Sequence, residues 1–239
     1  MPDYSEYIAS ALVSNGVSAT ARQINQLSDY LSELLRVNEY MNLTAIREPF
    51  EAAVKNIADC AVCTKYIPDN TSLLDVGSGA GLPAFPFAIM RPDIRVTALD
   101  STGKKVNFIS ETVKKTGLDN LTAICGRAEE LAANSQYREK FGAVSARAVA
   151  RLNILSELCL PFIKKGGAFL AMKSRLAETE LSEAHHAVSV LGGNVKSVEH
   201  FFLVGLSEEI ERTVILVEKI SPTPKQYPRT YARISGKPL

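Results

Sequence analysis

Apolar residues recur along the first part of the chain at the three- and four-residue spacing that is typical of amphipathic helices. Residues 3–38 fit two such helices, and Leu27, Leu31 and Leu34 would share the buried face of the second. A third helix is predicted over about residues 50–66, after a polar and broken loop. The pattern therefore predicts a helical segment at the start of the chain.

After residue 70 the pattern changes to short apolar runs that alternate with helical segments. Five of these runs are predicted to be strands, over residues 72–76, 94–99, 121–125, 141–146 and 168–172. Strands that alternate with helices form a parallel sheet with helices on both faces. A helix over 175–191 precedes two strand-like runs, 195–203 and 213–218, which predict an antiparallel pair at one edge. The expected fold is α/β, with a doubly wound, seven-stranded, mostly parallel sheet.

The turn at residues 67–72 separates a helical extension, 1–68, from an α/β core, 69–220, which a tail, 221–239, follows. A chain of 239 residues is long enough for these parts to form one globular unit. No apolar run approaches the roughly 20 residues that span a bilayer, and the polar start is unlike a secretory signal. Four cysteines without framework spacing indicate reduced thiols. We therefore expect a cytoplasmic protein without membrane contact.

Charge and cysteine spacing say little about partners. The net charge is only +1, but residues 219–239 carry five basic residues and no acidic one. A run of this kind is usually a solvated surface, whereas the interleaved Tyr227 and Tyr231 raise the case for RNA contact. Cys60 and Cys63 have no second pair of ligands at zinc spacing, so no metal site is predicted.

A glycine-rich turn follows the first predicted strand, with Gly77, Gly79 and Gly81 at alternate positions. Glycine permits positive φ and a close approach of the backbone to a ligand, so the turn predicts a nucleotide-type pocket. A dinucleotide loop has its third glycine one residue later, where this chain has Leu82, and this spacing counts against an NAD-dependent oxidoreductase. Asp75 would repel a pyrophosphate and suits a cationic cofactor such as S-adenosylmethionine. A tight turn with Asp75 as a structural carboxylate is the other interpretation.

In a doubly wound sheet the ligand lies outside the carboxyl ends of the strands. Beside the loop residues, the candidate cofactor contacts are Asp100, Ser101, Thr102, Ala128, Glu129 and Arg147. Asp100 can accept hydrogen bonds from both ribose hydroxyls, and the Ala128–Glu129 pair follows strand three, where an adenine edge would lie. Arg147 would lie between cofactor and substrate and hold a carboxylate or a phosphate, unless it forms an internal ion pair.

Six segments, spread over nearly the whole chain, carry a family resemblance. They are Met41–Ile46, Asp75–Pro83, Asp100–Lys105, Gly126–Glu130, Ser145–Val149 and the tail from Tyr227 to Leu239. In these segments the chain resembles the bacterial 16S rRNA guanine-N7 methyltransferases, the glucose-inhibited division protein B family. The glycine loop marks only the superfamily of S-adenosylmethionine-dependent methyltransferases. The chain departs from the family at Asn56 and Cys60, where the family usually has histidine and serine.

The resemblance implies a Rossmann-like methyltransferase that moves a methyl group from S-adenosylmethionine to N7 of a guanine, guanine 527, in 16S ribosomal RNA or the 30S subunit. It implies a cofactor site at Gly77, Leu82, Asp100, Ser101, Thr102, Ala128, Glu129 and Arg147. RNA contacts are expected at Asn42, Lys104, Lys105, Arg229, Arg233 and Lys237. A monomer that does not bind DNA is expected.

The expected chemistry needs no catalytic side chain. Guanine N7 is a lone-pair acceptor with no proton to lose, so it attacks the sulfonium methyl group directly and without a general base. Alignment of the reacting atoms would supply the rate, and Arg147 is the candidate for positioning. Because such a transfer leaves no catalytic signature, a cofactor-binding RNA chaperone or regulator without turnover is a further alternative.

Overall fold

The computed structural model describes residues 2–147, 149–174 and 178–239. The α-helices, in chain order, are α1 (Ser5–Ser14), α2 (Ala21–Met41), α3 (Pro49–Ala52), α4 (Asp59–Val62), α5 (Ala84–Met90), α6 (Gly103–Thr116), α7 (Ala128–Ala133), α8 (Leu152–Cys159), α9 (Glu178–Val190) and α10 (Tyr231–Gly236). The strands are β1 (Ser72–Val76), β2 (Arg95–Asp100), β3 (Leu121–Cys125), β4 (Phe141–Arg147), β5 (Ile163–Lys173), β6 (Gly193–Leu203) and β7 (Ile210–Lys219). A π-helix, Ala53–Ala58, joins α3 to α4. Within the described ranges, no helix has both the length and the apolar character that crossing a membrane requires.

The seven strands form one sheet in the order β3-β2-β1-β4-β5-β7-β6. The pairings among the first five strands of that order are parallel, and β7 is antiparallel to both β5 and β6. The strand order reverses between β1 and β4, and α/β sheets bind ligands at such a reversal. The doubly wound, mostly parallel fold and the antiparallel pair at its edge are thereby confirmed.

Several element boundaries differ from the sequence-based expectation. Helix α2 continues to Met41, beyond the expected end at 38, and β6 and β7 begin at Gly193 and Ile210 rather than at 195 and 213. The helix expected over 50–66 contains the π-helix and ends in a 3₁₀ turn, Cys63–Tyr66. Strand β5 begins at Ile163 rather than at 168, because Ile163 pairs with Phe141 ahead of a register shift. The helix expected from 175 is present from Glu178, and residues 175–177, like Ala148 of the Ser145–Val149 motif, lie outside the described residues.

Helix α2 attaches the N-terminal helices to the sheet. It starts at a capping box, in which Thr20 and Gln23 bond each other's backbone N–H groups. Its buried Tyr30 donates a 3.0 Å hydrogen bond to the carbonyl of Ala80 in the glycine loop, and its ring stacks on Phe85 at 4.3 Å between centroids. The N-terminal helices and the sheet share one hydrophobic cluster. The division of the chain into three parts stays a prediction.

Candidate functional site

The loop between β1 and α5 requires glycine at two positions for both φ and space. Gly77 and Gly81 have φ of +73° and +86°. A Cβ on Gly77 would lie 2.7 Å from a methyl carbon of Val149, and one on Gly81 would lie 2.5 Å from the ring of Phe85. The missing side chains therefore let Val149 and Phe85 close on the loop. Leu82, the loop residue expected to contact the cofactor, is buried against the core cluster.

The side chain of Asp75, near the end of β1, holds this loop in place by hydrogen bonds. Its fully buried carboxylate accepts hydrogen bonds from the hydroxyls of Ser78, at 2.5 Å, and Ser145, at 2.9 Å. Burial raises the pKa of Asp75 to about 6, against the opposing effect of these hydrogen bonds. The side chain ties β1 to the loop and to β4, which is the structural interpretation left open by the sequence. A direct contact of Asp75 with the cofactor stays a prediction.

A cavity of about 180 Å³, the loop cavity, lies at the carboxyl ends of β1, β2 and β3. Five of the predicted cofactor residues line it: Gly77, Asp100, Ser101, Ala128 and Glu129. The carboxylate of Asp100, a residue only 8% exposed, accepts one backbone N–H on each oxygen, from Gly79 and Thr102, both at 2.9 Å. A carboxylate can accept about four hydrogen bonds, so both oxygens keep capacity for ribose hydroxyls. The loop cavity therefore offers hydrogen-bond acceptors for the ribose hydroxyls of a nucleoside.

Gly79 and Thr102 act on this cavity indirectly. Their N–H groups fix the Asp100 carboxylate from two sides, and neither residue is part of the lining. Sequence position alone identified them as candidates, because they flank the strand ends. In the structure both residues hold Asp100, and a direct contact of either one with the cofactor stays a prediction.

A second and larger cavity of about 500 Å³, the arginine cleft, lies on the other side of Val149. Arg147 lines this cleft rather than the loop cavity. Its guanidinium donates to the carbonyl of Lys55 at 3.1 Å and to the carboxylate of Asp59 at 3.4 Å. The other oxygen of Asp59 accepts from Nε of Arg212 at 3.1 Å. The internal ion pair weighed for Arg147 is therefore present, and two arginines share one carboxylate.

The π-helix contributes a further residue to the cluster of Arg147, Asp59 and Arg212. Asn56 lies in it, and its amide oxygen accepts from Arg147 at 3.4 Å. The amide nitrogen of Asn56 is buried and has no hydrogen-bond partner among the described residues. Such wide helical turns are frequent at functional sites. Asn56, where the family usually has histidine, is thus packed against the predicted positioning residue.

The predicted RNA contacts differ in exposure and in pairing. Asn42 ends α2 with φ of +49° and is exposed, and Lys104 is exposed at the start of α6 with Lys105 beside it. Arg233 and Lys237 are exposed in the tail. Arg229 differs from them, because its guanidinium is paired with Glu157 of α8 at 2.6 Å.

Sequence reasoning missed several residues that line the two cavities. Val149 separates the cavities, Leu158 and Tyr231 close the loop cavity, and Arg212 shares Asp59 with Arg147. Tyr231 carries a signal, because it is an aromatic residue in a basic tail, but that pattern indicates contact with RNA rather than with a cofactor. Arg212 carries none, because a single arginine near the start of a strand, here β7, is ordinary.

Solved structures share this fold at low sequence identity. The structure of M. jannaschii TYW2 in complex with AdoMet matches with a TM-score of 0.55 and 15% identity, over 69% of this chain and 76% of that one. A putative methyltransferase from Bacillus halodurans matches with a TM-score of 0.54 and 14% identity, over 69% of this chain and all of that one. At this identity the likeness shows the fold alone.

Sequence relatives are much nearer. The family model described as rRNA small subunit methyltransferase G, or GidB, matches residues 23–209. A ribosomal RNA small subunit methyltransferase G from Brevibacillus brevis is 42% identical over 236 residues, which are 98% of each chain. A protein of the same name from Lactobacillus helveticus is 42% identical over 224 residues, 92% of each chain. The chain therefore belongs to the rRNA small subunit methyltransferase G family, as its motifs predicted.

Proposed function

We propose that the chain transfers a methyl group from S-adenosylmethionine to N7 of a guanine in 16S ribosomal RNA. Family membership supports the enzyme class, the cofactor and a small-subunit rRNA substrate, and it removes the case for an NAD-dependent oxidoreductase. The observation that carries the proposal is the meeting of two cavities at Val149, one suited to a nucleoside and one lined by paired arginines. The atom N7 and guanine 527 rest on the family resemblance.

The loop cavity would hold the nucleoside end of the cofactor. Asp100 would accept the ribose hydroxyls, since its oxygens keep acceptor capacity beyond the bonds from Gly79 and Thr102. Ala128 and Glu129, at the start of α7, would lie along the adenine. When bound, S-adenosylmethionine supplies an electrophilic methyl group on its sulfonium. The chain itself contributes alignment and the exclusion of water.

The arginine cleft would receive the guanine nucleotide. Arg147 and Arg212 share the single carboxylate of Asp59, so this trio keeps a net positive charge that favours RNA phosphates. The narrow major groove of an RNA duplex obstructs N7, so the target base must lie in a loop or leave its stack. Guanine N7 has no proton to lose, so the proposed transfer needs no general base from either cavity.

The test is a transfer assay with radiolabelled S-adenosylmethionine. Naked 16S rRNA, 30S subunits that lack the modification, and no RNA are compared, and labelled RNA is cleaved chemically at N7-methylguanine to map the position. We expect label at one guanine, and subunits that already carry the methyl group are the matched control that accepts none. Saturable RNA binding without transfer would support the chaperone alternative, and label on another atom would refute the N7 assignment.

Basic residues that line neither cavity would add affinity for the RNA backbone. We propose that Lys104, Lys105, Arg233 and Lys237 contact RNA phosphates and that Asn42 also contacts the RNA. We further propose that the enzyme is monomeric and cytoplasmic. Each lost contact with a single strand should change the slope of log affinity against log salt by about 0.7. Titration of alanine variants at several salt concentrations measures that slope, and an unchanged slope would remove the residue from the interface.

A further inference from the structure

The tail contributes an aromatic ring to the loop cavity. Tyr231, the first residue of α10, lines this cavity together with Asp100 and Glu129. The residue is nevertheless 43% exposed. Val149, also exposed, is another apolar member of the lining. Exposed apolar side chains that share a cavity with polar groups are typical of a ligand site whose ligand covers them.

Anchors on both sides fix the position of this ring. Before it, Arg229 donates to Glu157 through its backbone N–H, at 2.8 Å, and through its guanidinium, at 2.6 Å. Glu157 precedes Leu158 in α8, and Leu158 lines the same cavity. After the ring, Ile234 is fully buried in the hydrophobic cluster that contains Leu158. The tail is therefore docked on the helix that forms one wall of the loop cavity.

We propose that Tyr231 is a cofactor-binding residue that packs its ring against the adenosyl group of S-adenosylmethionine. Adenine offers a flat π-face, which aromatic side chains bind by stacking. Asp100 provides polar contacts for the ribose, and the ring of Tyr231 provides the apolar surface that the base needs. The bonds from Arg229 to Glu157 anchor the chain two residues before Tyr231.

This inference rests on the proposed placement of the cofactor in the loop cavity, and it holds whichever RNA atom is methylated. Its test is calorimetric binding without RNA. The probes are S-adenosylhomocysteine and 5′-methylthioadenosine, which keeps the nucleoside and lacks the amino acid. We expect Tyr231→Ala to weaken both by the same factor, about tenfold. Tyr231→Phe should bind within about twofold of the wild type, because it keeps the ring.

Three further variants make the experiment decisive. Tyr40→Ala is the matched control, since Tyr40 is 65% exposed on α2 and lines neither cavity, and it should bind both probes normally. Asp100→Ala tests the placement of the cofactor itself. Tyr231→Leu keeps apolar bulk without a π-face, and it replaces the alanine variant if that variant fails to fold, as judged by circular dichroism.

Each of the other possible outcomes refutes a specific part of the proposal. If Asp100→Ala loses binding and Tyr231→Ala does not, the role of Tyr231 is refuted and the cofactor placement stands. If Tyr231→Ala weakens S-adenosylhomocysteine but not 5′-methylthioadenosine, the ring serves the amino-acid end and the adenosyl contact is refuted. If neither variant changes binding, the cofactor does not occupy the loop cavity, and the inference falls with that placement.

Discussion

Arg229 has two competing assignments that one substitution separates. Its place in a basic tail predicts a contact with an RNA phosphate. In the structure its backbone N–H and guanidinium both donate to the carboxylate of Glu157, whose side chain is 1% exposed. Arg229→Ala would leave this carboxylate buried without its ion-pair partner. We therefore expect the substitution to lower the free energy of unfolding.

The magnitude follows from the burial of the pair. Removing one partner of a buried ion pair costs about 3–5 kcal/mol, because the other charge is left uncompensated. The side chain of Arg229 is 21% exposed, so water reaches one side of the pair. The backbone N–H of residue 229 also keeps its bond to Glu157 in the alanine variant. Both facts place the expected loss at the lower end, about 3 kcal/mol.

Urea unfolding followed by circular dichroism measures this loss. Arg233→Ala is the matched control, because Arg233 is an exposed arginine in the same tail, and it should stay within about 0.5 kcal/mol of the wild type. The double variant Glu157→Leu with Arg229→Met should recover most of the stability, since it removes both buried charges. RNA affinity is measured in parallel at several salt concentrations.

The reasoning is refuted if Arg229→Ala unfolds within about 0.5 kcal/mol of the wild type. A simultaneous change of about 0.7 in the salt slope of RNA binding would then assign Arg229 to a phosphate, as the sequence predicted. Equal losses for Arg229→Ala and Arg233→Ala would also contradict an anchor specific to Arg229.

Three further predictions follow from groups around the loop and the core. The folded pKa of Asp75, about 6, lies above the unfolded value of 3.8, so the native state binds more protons between these values and its stability falls as pH rises through them. Asp75→Asn should remove this fall of about 3 kcal/mol, and an unchanged pH profile of urea unfolding would contradict it. Gly81→Ala should lower the free energy of unfolding by about 2 kcal/mol or more, because of its positive φ and the nearby ring of Phe85. Gly103→Ala, where an added methyl group meets no atom within 4 Å, is the control, and equal losses would refute the clash. The native protein should react with one equivalent of a thiol reagent, at the exposed Cys125. The other three cysteines, Cys60, Cys63 and Cys159, are buried, and reaction with two or more equivalents would show that the reagent reaches them.

Much of the architecture was predictable because its determinants are local. The alternation of apolar runs and helical segments was enough to predict the seven-stranded sheet. The glycines at alternate positions were enough to predict the turn after β1. The carboxyl ends of parallel strands meet at one edge, so Asp100 and Ala128 could be placed together before the structure was known. The π-helix at Ala53–Ala58 could not be predicted from the sequence, because its residues fit an ordinary helix. Its widening accompanies the packing of Asn56 and Lys55 on Arg147.

By itself the sequence determined the fold class, the family and the set of strand ends that border the ligand crevice. These depend on periodicity, on glycine backbone freedom and on short motifs, all of which are readable within a few residues. Only the tertiary structure decided that Arg147 lies in a separate cleft with Arg212, and that the tail closes the loop cavity through Tyr231. The physical reason is distance along the chain: Arg229 and Glu157 are 72 residues apart, and no local pattern joins a basic tail residue to one acidic residue in an apolar helix.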